Sequence, residues 1–116
     1  MQRFMLMSKI HRATLTGTEL DYEGSIAIDR DLIDAAKLQP GEQVHVLNLS
    51  NASRLVTYVI EAPAGSGTMM LNGPAARLGA KGDQVVIIAY AAMSEEEARC
   101  FKPTIVHVDG SNRILR

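Results

Sequence analysis

Tyr22-Glu23-Gly24-Ser25 places a hydroxyl directly after a residue with no Cβ. Gly24 lets the peptide ahead of Ser25 take conformations closed to other residues, and it leaves its own carbonyl open to approach from either side. In a strained loop kept from bulk water, the Ser25 Oγ can attack that carbonyl and turn the amide into an ester. Elimination of the ester leaves a dehydroalanine at position 25, and hydrolysis converts this to a pyruvoyl group at a new N-terminus. The chain would then carry an electrophile that no standard side chain supplies. A Gly-Ser pair alone ordinarily marks a turn, so the weight falls on the residues around it.

Other side chains could hold or protonate a substrate at such a group. On an extended segment with period two, Lys9 and His11 share a face with Met5 and Met7, while Phe4, Leu6 and Ile10 share the other. That parity suits a solvent-facing polar pair as well as a cationic pair lining a pocket. From Arg54 to Ile60, Arg54, Val56, Tyr58 and Ile60 face one way and Leu55, Thr57 and Val59 the other, which predicts Arg54 and Tyr58 as neighbours in space. As rim residues of a hairpin they need no further role. As a site, a guanidinium grips a carboxylate through two parallel hydrogen bonds while a phenol gives or takes a proton nearby. Asn72-Gly73 is a turn signal whose backbone N–H groups could hold an anion, although Pro74 offers none. His11, His45 and His107 stand alone in sequence, without spacings that bring ligands onto one metal, so no metal site is expected.

These residues need a frame. Residues 3 to 16 read as a strand, Gly17-Thr18 as a turn, and Ile26-Ala27-Ile28 as an apolar strand that begins at Ser25. Asp29 can cap a helix over Arg30 to Lys37 that buries Leu32, Ile33 and Ala36 and ends at Pro40-Gly41. Val44 to Leu49 and Arg54 to Ile60 suggest a hairpin across the polar turn Ser50 to Ser53. Thr68 to Leu71 is a short strand, and Pro74 suits the start of a short helix through Leu78, closed by Gly79. Gln84 to Ala92 is the most continuously apolar strand and the expected centre of the core. Ser94 with Glu97 is a capping-box pattern for a helix over Glu95 to Phe101, whose three glutamates suit a solvated face near the helix N-terminus. Thr104 to Val108 is a last strand, and Asp109-Gly110-Ser111-Asn112 begins a polar tail. The count predicts a mainly β fold, a small barrel with short helices in its connections.

Composition sets bounds on function. With 116 residues, 47% of them hydrophobic, the chain fits a single domain over residues 1–116. Lys+Arg total 12 against 13 Asp+Glu, which leaves no basic excess to offset a phosphate backbone, so nucleic acid is not an expected partner. No apolar stretch approaches the roughly 20 residues that span a bilayer, so no membrane contact is expected. Lys9, His11 and Arg12 interrupt the apolar N-terminus before a signal-peptide core forms, and a single Cys100 suits a reducing compartment. A cytoplasmic location is the expectation.

The segments Lys9-Ile10-His11-Arg12, Asp21-Tyr22-Glu23-Gly24-Ser25, Arg54, Thr57-Tyr58, Asn72-Gly73 and Glu95-Glu96-Glu97-Ala98-Arg99 together resemble the pyruvoyl-dependent aspartate 1-decarboxylases of bacteria, in the same order and spacing over nearly the whole chain. The resemblance implies a double-psi β-barrel, a homotetramer with sites between subunits, and self-cleavage into residues 1–24 and 25–116. It implies decarboxylation of L-aspartate to β-alanine for pantothenate and coenzyme A synthesis, and leaves the need for a maturation partner open. By matching position, Ser25 would become the pyruvoyl group that forms a Schiff base with the substrate amine, and Tyr58 would protonate the carbanion left by CO2 loss. Thr57 would assist cleavage at Gly24 and contact substrate, Arg54 and Lys9 would hold its carboxylates, and Gly73, Pro74 and Ala75 would line the pocket. Tyr22, His11 and Asn72 would complete the wall. Pro74 departs from the family pattern, which has a small residue able to donate a backbone hydrogen bond there. The alternative from another class is a non-catalytic small β-barrel binding module, which would stay uncut.

Overall fold

The structure, a computed structural model, describes residues Met1–Arg116. In chain order it holds β1 (Gln2–Thr14), β2 (Gly17–Glu19), β3 (Ser25–Asp29), α1 (Arg30–Ala35), β4 (Gln43–Asn48), β5 (Arg54–Ala62) and β6 (Met69–Asn72). A 3-10 helix (Gly73–Leu78), β7 (Gln84–Ser94), α2 (Glu95–Cys100) and β8 (Thr104–His107) follow. The fold is mainly β, with short helices in the connections. No helix is long and apolar enough to cross a membrane.

The strands form one hydrogen-bonded order, β2-β6-β3-β5-β4-β7-β1-β8. β2 sits at one end and β1 six neighbours away, yet only Leu15 and Thr16 separate them in the chain. Laid flat, six sheet steps span about 29 Å, whereas the three residue steps from Thr14 to Gly17 reach at most about 11 Å. The sheet must therefore curl on itself. Two backbone bonds stitch the crossing to both sides, Leu15 N–H to the Asp83 carbonyl beside β7 and Thr16 N–H to the Met69 carbonyl of β6, each 2.8 Å. A core of 19 buried residues fills the interior, including Ile10, Leu15, Ile26, Ile28, Val59 and Leu71. β7 crosses it between β4 and β1 with five consecutive buried residues, Val85 to Ala89, as its continuous apolar run predicts.

Local sequence explains most boundaries. Asp29 caps α1 by accepting from Asp31 N–H at 2.8 Å, and it also accepts from Gly65 N–H at 3.0 Å and Gly67 N–H at 2.8 Å. One buried carboxylate thus ties the end of β3, the start of α1 and the loop before β6 together. Ser94 and Glu97 form the expected capping box at α2. The β4–β5 hairpin pairs Leu47 with Arg54 and Gln43 with Tyr58.

Three sequence expectations need correction. Gly17-Thr18 is not a turn: Thr16 holds Met69 at both its N–H and its hydroxyl, and the chain runs on extended as β2, parallel to β6. Nor do residues 109–112 form a free tail. Asn112 is buried, and its amide meets Thr14 N–H, the Thr14 carbonyl and the Gly67 carbonyl at 2.7–2.9 Å. Period two also fails along β1, where register shifts fall between Leu6 and Ser8 and between Ile10 and Ala13. Arg12 takes a left-handed φ of 64° at the second shift, which carries Ala13 rather than Arg12 inward.

Candidate active site

Ser25 opens β3 directly opposite Asn72, the last residue of β6, in the antiparallel ladder. Facing residues of such a pair hold their Cβ atoms about 5 Å apart, close enough for the side chains to bond. The Asn72 Nδ2 donates to Ser25 Oγ at 3.1 Å, and Ser25 Oγ donates to the Glu23 carbonyl at 3.0 Å. Both residues are almost fully buried, at 1% and 0% exposure. Asn72 Oδ1 is also buried but has no hydrogen-bond partner, an uncommon cost for a native amide. Neither contact of the serine hydroxyl is a general base. Attack on the neighbouring carbonyl would therefore draw on placement and dryness, not on a proton acceptor already in reach.

The left-handed glycine at this junction is Gly73, with φ 65°, and not Gly24. A Cβ on Gly73 would stand 2.6 Å from Gly24 N, 2.7 Å from Gly24 Cα and 2.8 Å from the Tyr22 carbonyl. The turn that leaves β6 is thus pressed against the backbone just ahead of Ser25, and only a residue without a side chain fits. Pro74 follows as the start of the 3-10 helix, with its Cδ 3.5 Å from where a Gly24 Cβ would stand.

Two clefts meet at the Gly24–Ser25 peptide. One, of about 370 Å³, is lined by Tyr22, Glu23, Ser25, Tyr58 and Ile60. The other, of about 390 Å³, is lined by Gly24, Thr57, Tyr58, Pro74 and Ala75 together with Leu55, Val56 and Leu78. Gly24 faces one cleft, Ser25 the other, and Tyr58 borders both. Parallel pairing of β3 with β5, Ile26 against Val59, brings the Thr57-Tyr58 end of β5 alongside the Gly24–Ser25 junction.

The predicted site residues therefore fall into two groups. Tyr22, Gly24, Ser25, Thr57, Tyr58, Asn72, Gly73, Pro74 and Ala75 come together at one junction. Lys9, His11 and Arg54 do not. Arg54 and Tyr58 are not neighbours in space: four positions along an extended strand separate them by about 13 Å. Arg54 lines a different cleft, of about 500 Å³, with Phe4, Gln43, His45 and Tyr90. Lys9 and His11 lie on β1, which pairs with β7 and β8, whereas β3 pairs with β5 and β6. His11 does not stand alone either, since its ring packs edge-to-face on His107 across the parallel β1–β8 ladder, with centroids 5.5 Å apart. Its Nδ1 is buried without a partner. Partial burial holds this imidazole below its ordinary titration range, and the charges of Lys9, His107 and Arg12 act in the same direction.

Sequence reasoning missed Ile60 and His45. Ile60 shares the Tyr58 face of β5, so strand parity pointed to it. His45 meets Arg54 only because a turn of fixed length sets the β4–β5 register, which composition does not give.

Comparison with known proteins fits this geometry. The family model for aspartate decarboxylase matches residues 1–115. The aspartate 1-decarboxylase of Dehalococcoides mccartyi is 57% identical over 112 residues, covering 97% of this chain and 90% of that protein. Aspartate 1-decarboxylase 1 of Gloeobacter violaceus is 55% identical over 115 residues, covering 99% and 98% of the two chains. The aspartate 1-decarboxylase of Caulobacter vibrioides is 56% identical over 112 residues, covering 97% and 95%. Similarity of this depth embraces every strand of the sheet and the whole Gly-Ser junction, and defines the class as a decarboxylase. The chain belongs to the aspartate decarboxylase family.

Proposed function

We propose that this chain cleaves itself between Gly24 and Ser25, keeps Ser25 as a pyruvoyl group, and decarboxylates L-aspartate to β-alanine and CO2, the β-alanine serving pantothenate and coenzyme A synthesis in the cytoplasm. The observation that carries the reading is the buried Ser25 hydroxyl, held between Asn72 and the Glu23 carbonyl where Gly73 presses on the preceding backbone. The residues present suit such a group. Ser25 starts a strand that anchors the new terminus, it is itself almost fully buried, and its cleft is walled by Tyr22, Tyr58 and Ile60. A pyruvoyl group supplies an electron sink for the bond that CO2 leaves behind.

The chain's own side chains do the rest. Asn72 N–H on Ser25 Oγ favours negative charge on that oxygen as it departs with the Gly24 carboxylate during processing. Thr57, in the cleft that Gly24 lines, assists that step and later contacts substrate. Tyr58 borders both clefts and donates its phenolic proton to the carbon that loses CO2. The departing carboxylate lies toward the apolar wall near Ile60, while the retained one stays paired with cations. Ala75 lines the pocket beside Pro74, which has no backbone N–H to offer, and Gly73 packs behind them on the Gly24 backbone.

Arg54 and Lys9 are the cations for the substrate carboxylates, and within one chain they lie away from Ser25. This favours a homotetramer whose sites are completed across subunits. Exposed Phe4 (84%), Val56 (54%) and Tyr90 (39%) give the Arg54 side of the molecule an apolar surface to bury.

Intact mass of purified protein, paired with CO2 release from aspartate in the presence and absence of hydroxylamine, tests the proposal. Fragments of residues 1–24 and 25–116 with hydroxylamine-sensitive CO2 release are expected. A chain that stays whole and releases no CO2 overturns the proposal and leaves a binding module. Assembly has its own test: co-expressed Lys9→Ala and Tyr58→Phe chains should regain activity that neither has alone, and failure to do so places the two residues in one subunit's site.

A further inference from the structure

Of the residues around Arg54, His45 has no part in the reading above, yet its geometry is specific. Arg54 Nη1 lies 3.2 Å from His45 Nδ1. A guanidinium carries only donors, so this contact requires a lone pair on Nδ1 and places the imidazole proton on Nε2. The hairpin register sets the meeting: Leu47 pairs with Arg54 and His45 with Val56, which puts the two side chains on a diagonal across adjacent strands. From the other side, where β4 pairs with β7, the Tyr90 ring packs on the imidazole edge-to-face, with centroids 5.1 Å apart and planes at 81°. The imidazole is thus clamped between an aromatic ring and a cation, and its lone pair has one direction to point.

We infer that His45 is a positioning residue for Arg54, its neutral imidazole holding one edge of the guanidinium so that the remaining N–H groups face a substrate carboxylate. The inference rests on the reading of Arg54 as a carboxylate-binding residue. A free arginine side chain samples many rotamers, and a fork that must meet a carboxylate with two parallel bonds loses affinity when it wanders. Protonation of His45 removes the acceptor and sets two cations 3.2 Å apart. Arg54 from β5 and Tyr90 from β7 face the ring, Phe4 from β1 and Gln43 from β4 bring no charge, and Lys9 of β1 stands in the same cross-strand row, beyond Ile88 of β7. Acid therefore releases Arg54 rather than strengthening its hold.

Steady-state kinetics on fully cut protein, with cutting checked by intact mass, test this. His45→Ala should raise KM for aspartate about three- to tenfold with kcat within about twofold of wild type. His45→Asn can place Oδ1 where Nδ1 stands and takes up no proton. It should restore KM and hold it steady over a pH range in which the KM of wild type is expected to rise as pH falls. Arg54→Lys serves as the control for the underlying reading. If Arg54→Lys leaves KM unchanged, Arg54 does not bind the carboxylate, and the His45 assignment falls with it. If Arg54→Lys raises KM while His45→Ala does not, Arg54 keeps its role and His45 loses its own. Should His45→Ala fail to fold, the pH profile decides, and matching KM profiles for wild type and His45→Asn overturn the inference.

Discussion

Asn72 donates to Ser25 Oγ at 3.1 Å from the facing position of the β3–β6 ladder, and both side chains are buried. Removing the hydroxyl has two separable consequences. Ser25→Ala should remain a single chain on a denaturing gel and release no CO2, because no nucleophile remains. It should also be less stable than an uncut wild-type precursor by about 1–3 kcal/mol, the cost of a buried amide left without its partner. An active, cut Ser25→Ala protein contradicts the assignment.

Tyr58 borders both clefts at the junction, but its hydroxyl is not among the contacts of Ser25 Oγ. Tyr58→Phe should therefore cut itself like wild type while kcat falls about a hundredfold or more, the usual worth of a positioned proton donor. Unchanged turnover removes Tyr58 from that role.

Gly73 has no room for a Cβ against Gly24 and the Tyr22 carbonyl, and it holds a left-handed φ. Gly73→Ala should displace the peptide ahead of Ser25 and leave most of the chain uncut over a time course that processes wild type. Equal rates of cutting would show that this close approach has no bearing on processing.

The Asp29 carboxylate receives three backbone N–H groups. Asp29→Ala should lower stability by roughly 2–4 kcal/mol, measured by urea unfolding in the Ser25→Ala background so that one uncut species is compared. A midpoint that does not move would mean that the three donors find other partners.

His11 gives a pH dependence whose sign follows from its surroundings. Burial first, then Lys9, His107 and Arg12, lowers its pKa in the folded protein below the ordinary 6.5. The unfolded chain therefore takes up this proton first as pH falls. The contribution to stability is whole above about 6.5 and declines with acid until the folded imidazole is also charged. Tm should fall more steeply between about pH 7 and pH 5 in wild type than in His11→Gln, and parallel curves would rule out His11 as the source.

Much of the fold was legible because local physics decided it. Asp29 before Leu32 and Ile33, the Ser94–Glu97 box and the apolar run at Val85 to Ala89 each carry their instruction within a few residues. Gly17-Thr18 misled because a parallel partner strand, 53 residues away at Met70 and Leu71, pairs with it and keeps it extended. Asn112 misled for a similar reason: a polar residue near a terminus reads as exposed until Thr14 and Gly67 close around it. At the site, the Gly24–Ser25 junction stood out by residue type and order, whereas Tyr58 was tied to it only through the family resemblance. The distance between Arg54 and Tyr58 did not, because parity fixes a shared face and says nothing of how far apart two residues on it stand. The Arg54–His45 contact needed the hairpin register, and the pressure of Gly73 on Gly24 needed the path of the turn.

The stitch at Leu15 and Thr16 bears on how the protein is assembled. Residues 1–24 contribute β1 and β2, so under the proposed scission the small piece would carry both strands that meet at this crossing, β2 at one end of the sheet and β1 next to the other. Before the cut, those strands find their places as part of one molecule. Once the chain is cut as proposed, recovery from denaturant would become an encounter between two molecules, with a rate that rises with protein concentration. A chain that folds alone in its first life would need company in its second.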